Sequence, residues 1–129
     1  MSKPTTAELA ILQVLWTQGA TSVRAVNEVL NETSPKPIGY TTTLKLMQLM
    51  VDKGLLARDT SSRTHIYRAA IPQEEVQSTL LDQLVDRAFG GSAAQLVMRA
   101  LGHQEASKEE LAEIKALIEK MEKAQNSKP

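Results

Sequence analysis

The sequence predicts a mainly α-helical fold in which three helices and a β-hairpin are followed by three more helices. Three observations predict this order. Apolar residues recur at helical spacing through residues 6–53, two short runs with strand character follow, and helical spacing returns after Pro72. With 129 residues, 42% of them hydrophobic and 23% charged, the chain has the composition of a globular protein that buries a core.

The first two helices have recognisable boundaries. Thr5 and Glu8 form a capping box that begins the first helix, and Gly19 ends it. Residues 20–22 lead into a short second helix, which stops before Pro35.

The third helix is expected from Thr41 to Lys53, with Gly54 as its stop, and it opens on a run of threonines. At about 100° per residue, its side chains divide into two arcs. The arc predicted to face the core comprises Tyr40, Leu44, Met47, Met50 and Val51, with Thr43 at its edge. The opposite arc comprises Thr42, Lys45, Leu46 and Leu49, flanked by Thr41 and Gln48.

The outer arc of the third helix predicts a DNA-binding surface if the second and third helices form a helix-turn-helix. Hydroxyls can bond base edges or phosphates, a lysine or glutamine can reach acceptors, and leucines can contact thymine methyls in the major groove. Two alternatives stay open. Thr41 or Thr42 could simply cap the helix, and Leu46 and Leu49 could belong to a wider core.

A β-hairpin is predicted from the runs Leu55 to Thr60 and Thr64 to Ala69, which the polar "SSR" joins. Three helices followed by a hairpin is the order of a winged helix-turn-helix. Arg63 and His65 at the hairpin tip could follow a phosphate backbone. Ser22 and Arg24 are candidates for a phosphate contact too, because the second helix presents free N–H groups at its start.

The second half of the chain is predicted to form three helices. Gly90-Gly91 ends the first of them, and Ser92 caps the next, which Gly102 is expected to end. Ser107 and Glu110 form a capping box for the last helix. Its tail, residues 123–129, is expected to fray.

The apolar stripes of these three helices are too wide for the helices to bury alone, so a second copy of the chain is expected to cover them. This divides the chain into a winged DNA-binding domain, residues 1–71, and a helical dimerisation domain, residues 72–129. The expected dimerisation residues are Leu80, Leu84, Leu96, Val97, Leu101, Leu111, Ile114, Leu117 and Ile118.

The net charge of zero hides an asymmetry between the two halves of the chain. Residues 1–71 hold eight Lys and Arg against five Asp and Glu, a balance of +3, whereas residues 72–129 hold seven against ten, a balance of −3. A basic half joined to an acidic half indicates that the basic half binds a polyanion.

Several function classes are excluded or disfavoured by composition. The chain has no cysteine, which excludes disulfides, a thiol nucleophile and a cysteine metal site. It also lacks an apolar run long enough to span a bilayer and a secretory signal pattern, so a cytoplasmic location is expected. His65 and His103 have no metal-ligand spacing, and we expect no cofactor, no metal and no enzymatic activity.

The order of the elements resembles the penicillinase repressor family of bacterial transcription regulators. The resemblance runs from about Glu8 to Met121 and depends on "GYTTTLKLMQLMVDKGLLARD", the wing "SSRTHIYRA" and "LLDQLVDRAFGGSAAQLVMRALG". It implies a homodimeric repressor whose winged domains bind two half-sites of a palindromic operator in double-stranded DNA. The two recognition helices would then lie in successive major grooves, roughly 34 Å apart or a multiple of that.

The resemblance also implies a route of release from DNA. In the best-studied members, a membrane sensor metalloprotease causes the repressor to be cut in the fifth helix, between an asparagine and a phenylalanine. Counted from Gly90-Gly91, the corresponding positions here are Arg99 and Ala100, which form the candidate cleavage region although the dipeptide differs. The cysteine cluster of the copper-responsive branch is absent from this sequence.

A second function from another class fits the same surface. The winged domain would bind a protein instead of DNA, and Leu46 and Leu49 would form an apolar docking face. Salt discriminates between the two, because phosphate contacts weaken steeply as salt rises whereas a leucine-centred interface barely responds.

Overall fold

The structure, a computed structural model, describes residues 3–127 and confirms the predicted fold class. Three helices and a two-stranded antiparallel hairpin are followed by three helices. The elements are α1 (Thr6–Gln18), α2 (Val23–Thr33), α3 (Tyr40–Asp52), β1 (Leu56–Asp59), β2 (Ile66–Ala69), α4 (Gln73–Ala88), α5 (Ala93–His103) and α6 (Lys108–Asn126). The chain divides into two compact units, of which the first ends at Asp82 and the second begins at Gln83, inside α4.

The core of the first unit is formed by α1, α2, α3 and the hairpin. The apolar side chains that are at most 2% exposed in this core are Ile11, Leu12, Val26, Met47, Met50, Leu56 and Tyr67. Leu44 and Val51 pack against the core while partly buried. Tyr40, however, is 43% exposed, so its predicted place in the core is wrong. It is the first residue of α3, where the helix emerges at the surface beside Arg24.

The start of α1 is joined to the end of α3 by an ion pair in which the carboxylate of Glu8 is buried and the ammonium of Lys53 is half-exposed. Glu8 and Thr5 form the predicted capping box, with N···O distances of 2.9 and 3.1 Å. The second carboxylate oxygen of Glu8, which is 2% exposed, lies 2.7 Å from Nζ of Lys53. Burial alone would raise the pKa of Glu8, but the hydrogen bonds from Lys53 and Thr5 outweigh it and lower that pKa below its ordinary value.

The hairpin is tied by backbone hydrogen bonds to the segment that precedes α2. Leu56 pairs with Ala69 and Asp59 with Ile66, so each strand is two residues shorter than predicted. Thr21, just before α2, exchanges two backbone hydrogen bonds with Tyr67, which adds a short third edge to the sheet. The wing therefore has a fixed place beside the N-terminus of α2.

The second unit has helices whose boundaries partly depart from prediction. α4 ends before Gly90 and Gly91, both at positive φ, as expected. α5 continues through Gly102 to His103, so the predicted stop at Gly102 is wrong. The backbone N–H of Gln104 bonds the carbonyl of Ala100 and closes the last turn there.

The last helix begins at the predicted capping box of Ser107 and Glu110 and stays helical to Asn126. The expected fraying is therefore wrong for residues 123–126. Ser127 closes this end, because its N–H donates to the carbonyl of Lys123 and its hydroxyl to the carbonyl of Ala124. The expectation for residues 128 and 129 lies outside the described residues. No helix within residues 3–127 combines the length and apolar character needed to cross a membrane.

Candidate nucleic-acid interface

The turn between α2 and α3 is held by two asparagine side chains of α2. Nδ2 of Asn27 donates to the carbonyl of Ile38 at 3.0 Å and to the hydroxyl of Thr43 at 2.8 Å. Asn31 makes two hydrogen bonds with the backbone of Ile38. Its Nδ2 donates to the Ile38 carbonyl at 3.0 Å, and its Oδ1 accepts from the Ile38 N–H at 2.7 Å. These bonds fix the backbone that leads into α3, and with it the direction in which α3 is presented.

The outer face of α3 is exposed, as the arc analysis predicts. Thr41, Thr42, Lys45, Gln48 and Leu49 are all exposed, with Lys45 near the middle of the face at about 100° per residue. The alternative that a threonine caps α3 is wrong. Gly39 is the N-cap and makes no side-chain cap bond. Thr43 is the threonine with a structural partner, since it is 2% exposed and bonded to Asn27.

The two leucines of the outer arc have different surroundings. Leu46 is partly buried and packs against the core of the first unit. Leu49 is 49% exposed and is an apolar side chain on an otherwise polar face. Leu46 therefore belongs to the wider core, whereas Leu49 remains at the surface and is accessible to a binding partner.

The tip of the wing is ordered by its own polar groups. Oδ1 of Asp59 accepts from the backbone N–H of Ser61 at 2.9 Å, and this hydrogen bond lowers the pKa of Asp59. The hydroxyl of Ser62 donates to the carbonyl of Thr64 at 2.7 Å. Arg63 is exposed within this braced loop.

A concave surface, here called the wing groove, lies between the start of α2, the outer edge of α3 and the wing. Its volume is about 430 Å³. The candidate residues that it brings together are Ser22, Arg24, Gln48, Arg63 and His65. The candidates that do not line it are Thr41, Thr42, Lys45, Leu46 and Leu49, all on α3. Ser22 itself is the N-cap of α2, where its hydroxyl accepts from the N–H of Ala25 at 3.2 Å.

Two tyrosines in the wing groove were not among the predicted site residues. Tyr40 lies under the guanidinium of Arg24, whose Cζ is 5.3 Å from the ring centroid, a cation–π contact. Tyr67 also lines the groove although it is 1% exposed overall. Asn27 and Asn31 were missed too. Their spacing of four residues on one helix face was the available signal, since such residues are neighbours.

Comparison with known proteins agrees with this geometry. The family model described as penicillinase repressor matches residues 4–120. The chain belongs to the penicillinase repressor family. It is also similar to the penicillinase repressor of Bacillus licheniformis, with 25% identity over 114 residues, which cover 88% of this chain and 87% of the relative.

Membership of the penicillinase repressor family assigns the chain to a family of transcriptional repressors.

The second unit exposes several of the side chains that the sequence predicts at a dimer interface. These side chains are large, apolar and between 42% and 57% exposed. They are Leu84, Val97, Leu101, Leu111, Leu117 and Ile118. Leu80, Leu96 and Ile114 are partly buried. Arg99 and Ala100, the candidate cleavage region, are exposed on α5.

Within residues 3–127, no group of metal-ligating side chains comes together.

Proposed function

We propose that this penicillinase repressor family member is a homodimeric repressor that binds a palindromic operator in double-stranded DNA in the cytoplasm. The main support is the outer face of α3. Lys45 lies among exposed hydroxyl and amide side chains on a helix that Asn27 and Asn31 hold in place beside the wing groove. A rigid helix with polar side chains of this kind can read base edges in the major groove.

The proposed contacts divide into two kinds. Thr41, Thr42, Lys45, Gln48 and Leu49 face bases, where the leucine meets thymine methyls and the polar side chains meet hydrogen-bonding edges. The contacts to the DNA backbone come from residues on both sides of α3. The residues proposed for these contacts are Ser22, Arg24, Arg63 and His65. Phosphate contacts hold the register of the helix without themselves carrying sequence information.

Dimerisation is proposed for the second unit. Its exposed apolar side chains lie along α5 and α6, and exposed stripes of this kind mark an interaction surface. A twofold dimer repeats the reading helix, so an operator of two inverted half-sites fits two copies. The half-sites would be separated by roughly 34 Å or a multiple of it.

Release by proteolysis within α5 is part of the proposal, with a membrane sensor metalloprotease as the candidate partner. None of the 11 residues of α5 is fully buried, so local opening of this helix exposes few core contacts. A cut at Arg99–Ala100 would separate the two ends of α5 and thereby remove part of the dimer surface.

The test is a titration of DNA binding against salt. A labelled duplex from the region upstream of the gene should bind more tightly than a shuffled duplex of equal length. Its affinity should fall by roughly 10³-fold or more between 50 and 200 mM salt if six or more phosphates are contacted. Binding that ignores both sequence and salt, together with a salt-insensitive protein partner that requires Leu49, would favour the alternative of a protein-binding module.

A further inference from the structure

Tyr67 has a buried ring and a hydroxyl with no protein partner in the described residues. Its ring belongs to the core, and its backbone is tied to Thr21 by bonds of 2.8 and 3.0 Å. Among the described side chains, the fully enclosed polar atom without a partner is Oε1 of Gln83, so the Tyr67 hydroxyl keeps a small accessible surface although the residue is 1% exposed. The open space that Tyr67 lines is the wing groove.

A phenol in this position calls for a hydrogen-bonding ligand. Tyrosine hydroxyls usually find a partner when the ring is buried, and a phenylalanine would fill the same space in the core without a polar atom. The charges around the groove indicate the sign of that ligand. Arg24 and Arg63 line it, whereas none of its lining residues within 3–127 is an aspartate or a glutamate.

Tyr40 controls where one of these charges lies. Its ring is beneath the Arg24 guanidinium, and an arginine held on an aromatic face loses less rotamer freedom when it binds an anion. The backbone start of α3 that carries Tyr40 is itself fixed by Asn27 and Asn31. The ring is thus attached to a rigid part of the molecule.

We propose that Tyr67 and Tyr40 complete a seat for one DNA backbone phosphate in the wing groove. The Tyr67 hydroxyl donates to a phosphate oxygen from the floor of the groove, and Tyr40 is a positioning residue that holds Arg24 toward the same phosphate. This inference rests on the proposed function and adds to it the two residues that select a single phosphate and so set the register of the protein on the duplex.

The test uses two matched substitutions that each remove one hydroxyl. Tyr67→Phe keeps the buried ring and should weaken binding of the upstream duplex by about tenfold for each subunit of the dimer, the effect of losing a hydrogen bond to a charged group. Its salt dependence should not change, because no charge is lost. Tyr40→Phe keeps the ring under Arg24 and should bind like the unaltered protein.

A third variant separates the ring of Tyr40 from its hydroxyl. Tyr40→Leu should weaken binding about two- to fivefold for each subunit of the dimer, the range of an exposed cation–π contact. The slope of log affinity against log salt should also become shallower, by up to about 1.8 for the dimer, as one phosphate contact is lost in each half-site. A merely structural role of Tyr40 would not change that slope. Thermal midpoints of all variants check that each remains folded.

Neutral methylphosphonate linkages locate the phosphate. One linkage in each half-site should weaken binding of the unaltered protein more than binding of Tyr67→Phe, which has already lost the phenol contact and loses only the attraction of Arg24. Wild-type affinity of Tyr67→Phe, or an unchanged salt slope for Tyr40→Leu, would overturn the phosphate seat while operator binding stood. Failure of the unaltered protein to bind the duplex would overturn the proposed function and this inference together.

Discussion

The side-chain amide of Asn27 lies 2.8 Å from the hydroxyl of Thr43 and links the middle of α2 to the first turn of α3. The same amide also bonds the carbonyls of Ile38 and Gly39, at 3.0 and 3.4 Å. One neutral group with two N–H donors therefore lies within hydrogen-bond distance of three acceptors in the turn between α2 and α3.

Substitution of Asn27 by alanine should lower the free energy of unfolding by about 1–3 kcal/mol, because it leaves partly buried acceptors without a donor. DNA affinity should fall as well, since α3 is no longer held in one direction. Urea denaturation and fluorescence anisotropy with the upstream duplex measure the two effects. Glu28→Ala, at the exposed neighbouring position, is the control and should change neither. An Asn27→Ala protein of full stability would contradict the role given to this amide.

Joint replacement of Lys45 and Arg63 by alanine should abolish operator binding in a gel-shift assay. Both side chains are exposed in the first unit, on α3 and at the wing tip, and their loss removes one base-facing and one phosphate-facing cation. The dimer should remain intact by light scattering. Lys115→Ala with Lys120→Ala removes the same charge from α6 and should bind normally. Undiminished binding by the Lys45 and Arg63 variant would count against the major-groove arrangement.

Aspartate at Leu96 and Leu117 should convert the dimer into monomers, because a carboxylate at an apolar interface loses its hydration without gaining a partner. Leu117 is 57% exposed in the single chain, so the substitution should not disturb its fold. Light scattering or sedimentation measures the mass. The control, Gln95→Asp with Ala116→Asp, adds the same charges to the same helices on other faces. A persistent dimer after the leucine substitutions would place the interface elsewhere.

The pair formed by Glu8 and Lys53 predicts a pH dependence of stability. Because the folded-state pKa of Glu8 is lowered, its contribution is complete above the ordinary value of 4.5 and is lost as the pH falls through the folded-state value. Lys53→Met should cost about 1–3 kcal/mol at neutral pH, since a buried carboxylate loses a charged donor. The difference from the unaltered protein should shrink in acid.

Thermal unfolding between pH 7 and pH 3 measures how the stability difference between Lys53→Met and the unaltered protein changes with pH. Glu32→Gln, an exposed control on α2, should run parallel to the unaltered protein across that range. A constant difference between Lys53→Met and the unaltered protein at every pH would argue that Lys53 acts through its apolar stem alone.

Much of this fold was predictable because its signals are local. The capping boxes at Thr5 and Ser107 involve residues three apart, and both are present in the structure. The glycines at positions 19, 54 and 90 have positive φ at helix ends, where glycine predicts stops. Gly102 gave a wrong prediction because glycine is also tolerated inside a helix, and nothing nearby in sequence shows that α5 ends one residue later, at His103.

The candidate site was less predictable because its parts are distant in sequence. Helical periodicity found the outer face of α3 but placed Tyr40 in the core, since periodicity does not show where a helix emerges from its neighbours. The meeting of Arg24 with Tyr40, and of both with Tyr67, depends on the packing of α2, α3 and the wing. No spacing rule within one element predicts such a meeting.

The amide-held turn has a consequence for how this protein responds to its surroundings. Asparagine side chains carry no charge and do not titrate, so neither added electrolyte nor mild acid alters their hydrogen bonding. The hydrogen bonds that hold α3 in place are in this respect insensitive to salt, whereas the proposed binding of α3 to a polyanion is sensitive to salt. In the proposed repressor, changes in salt concentration would therefore alter the affinity for the operator but not the hydrogen bonds of this turn.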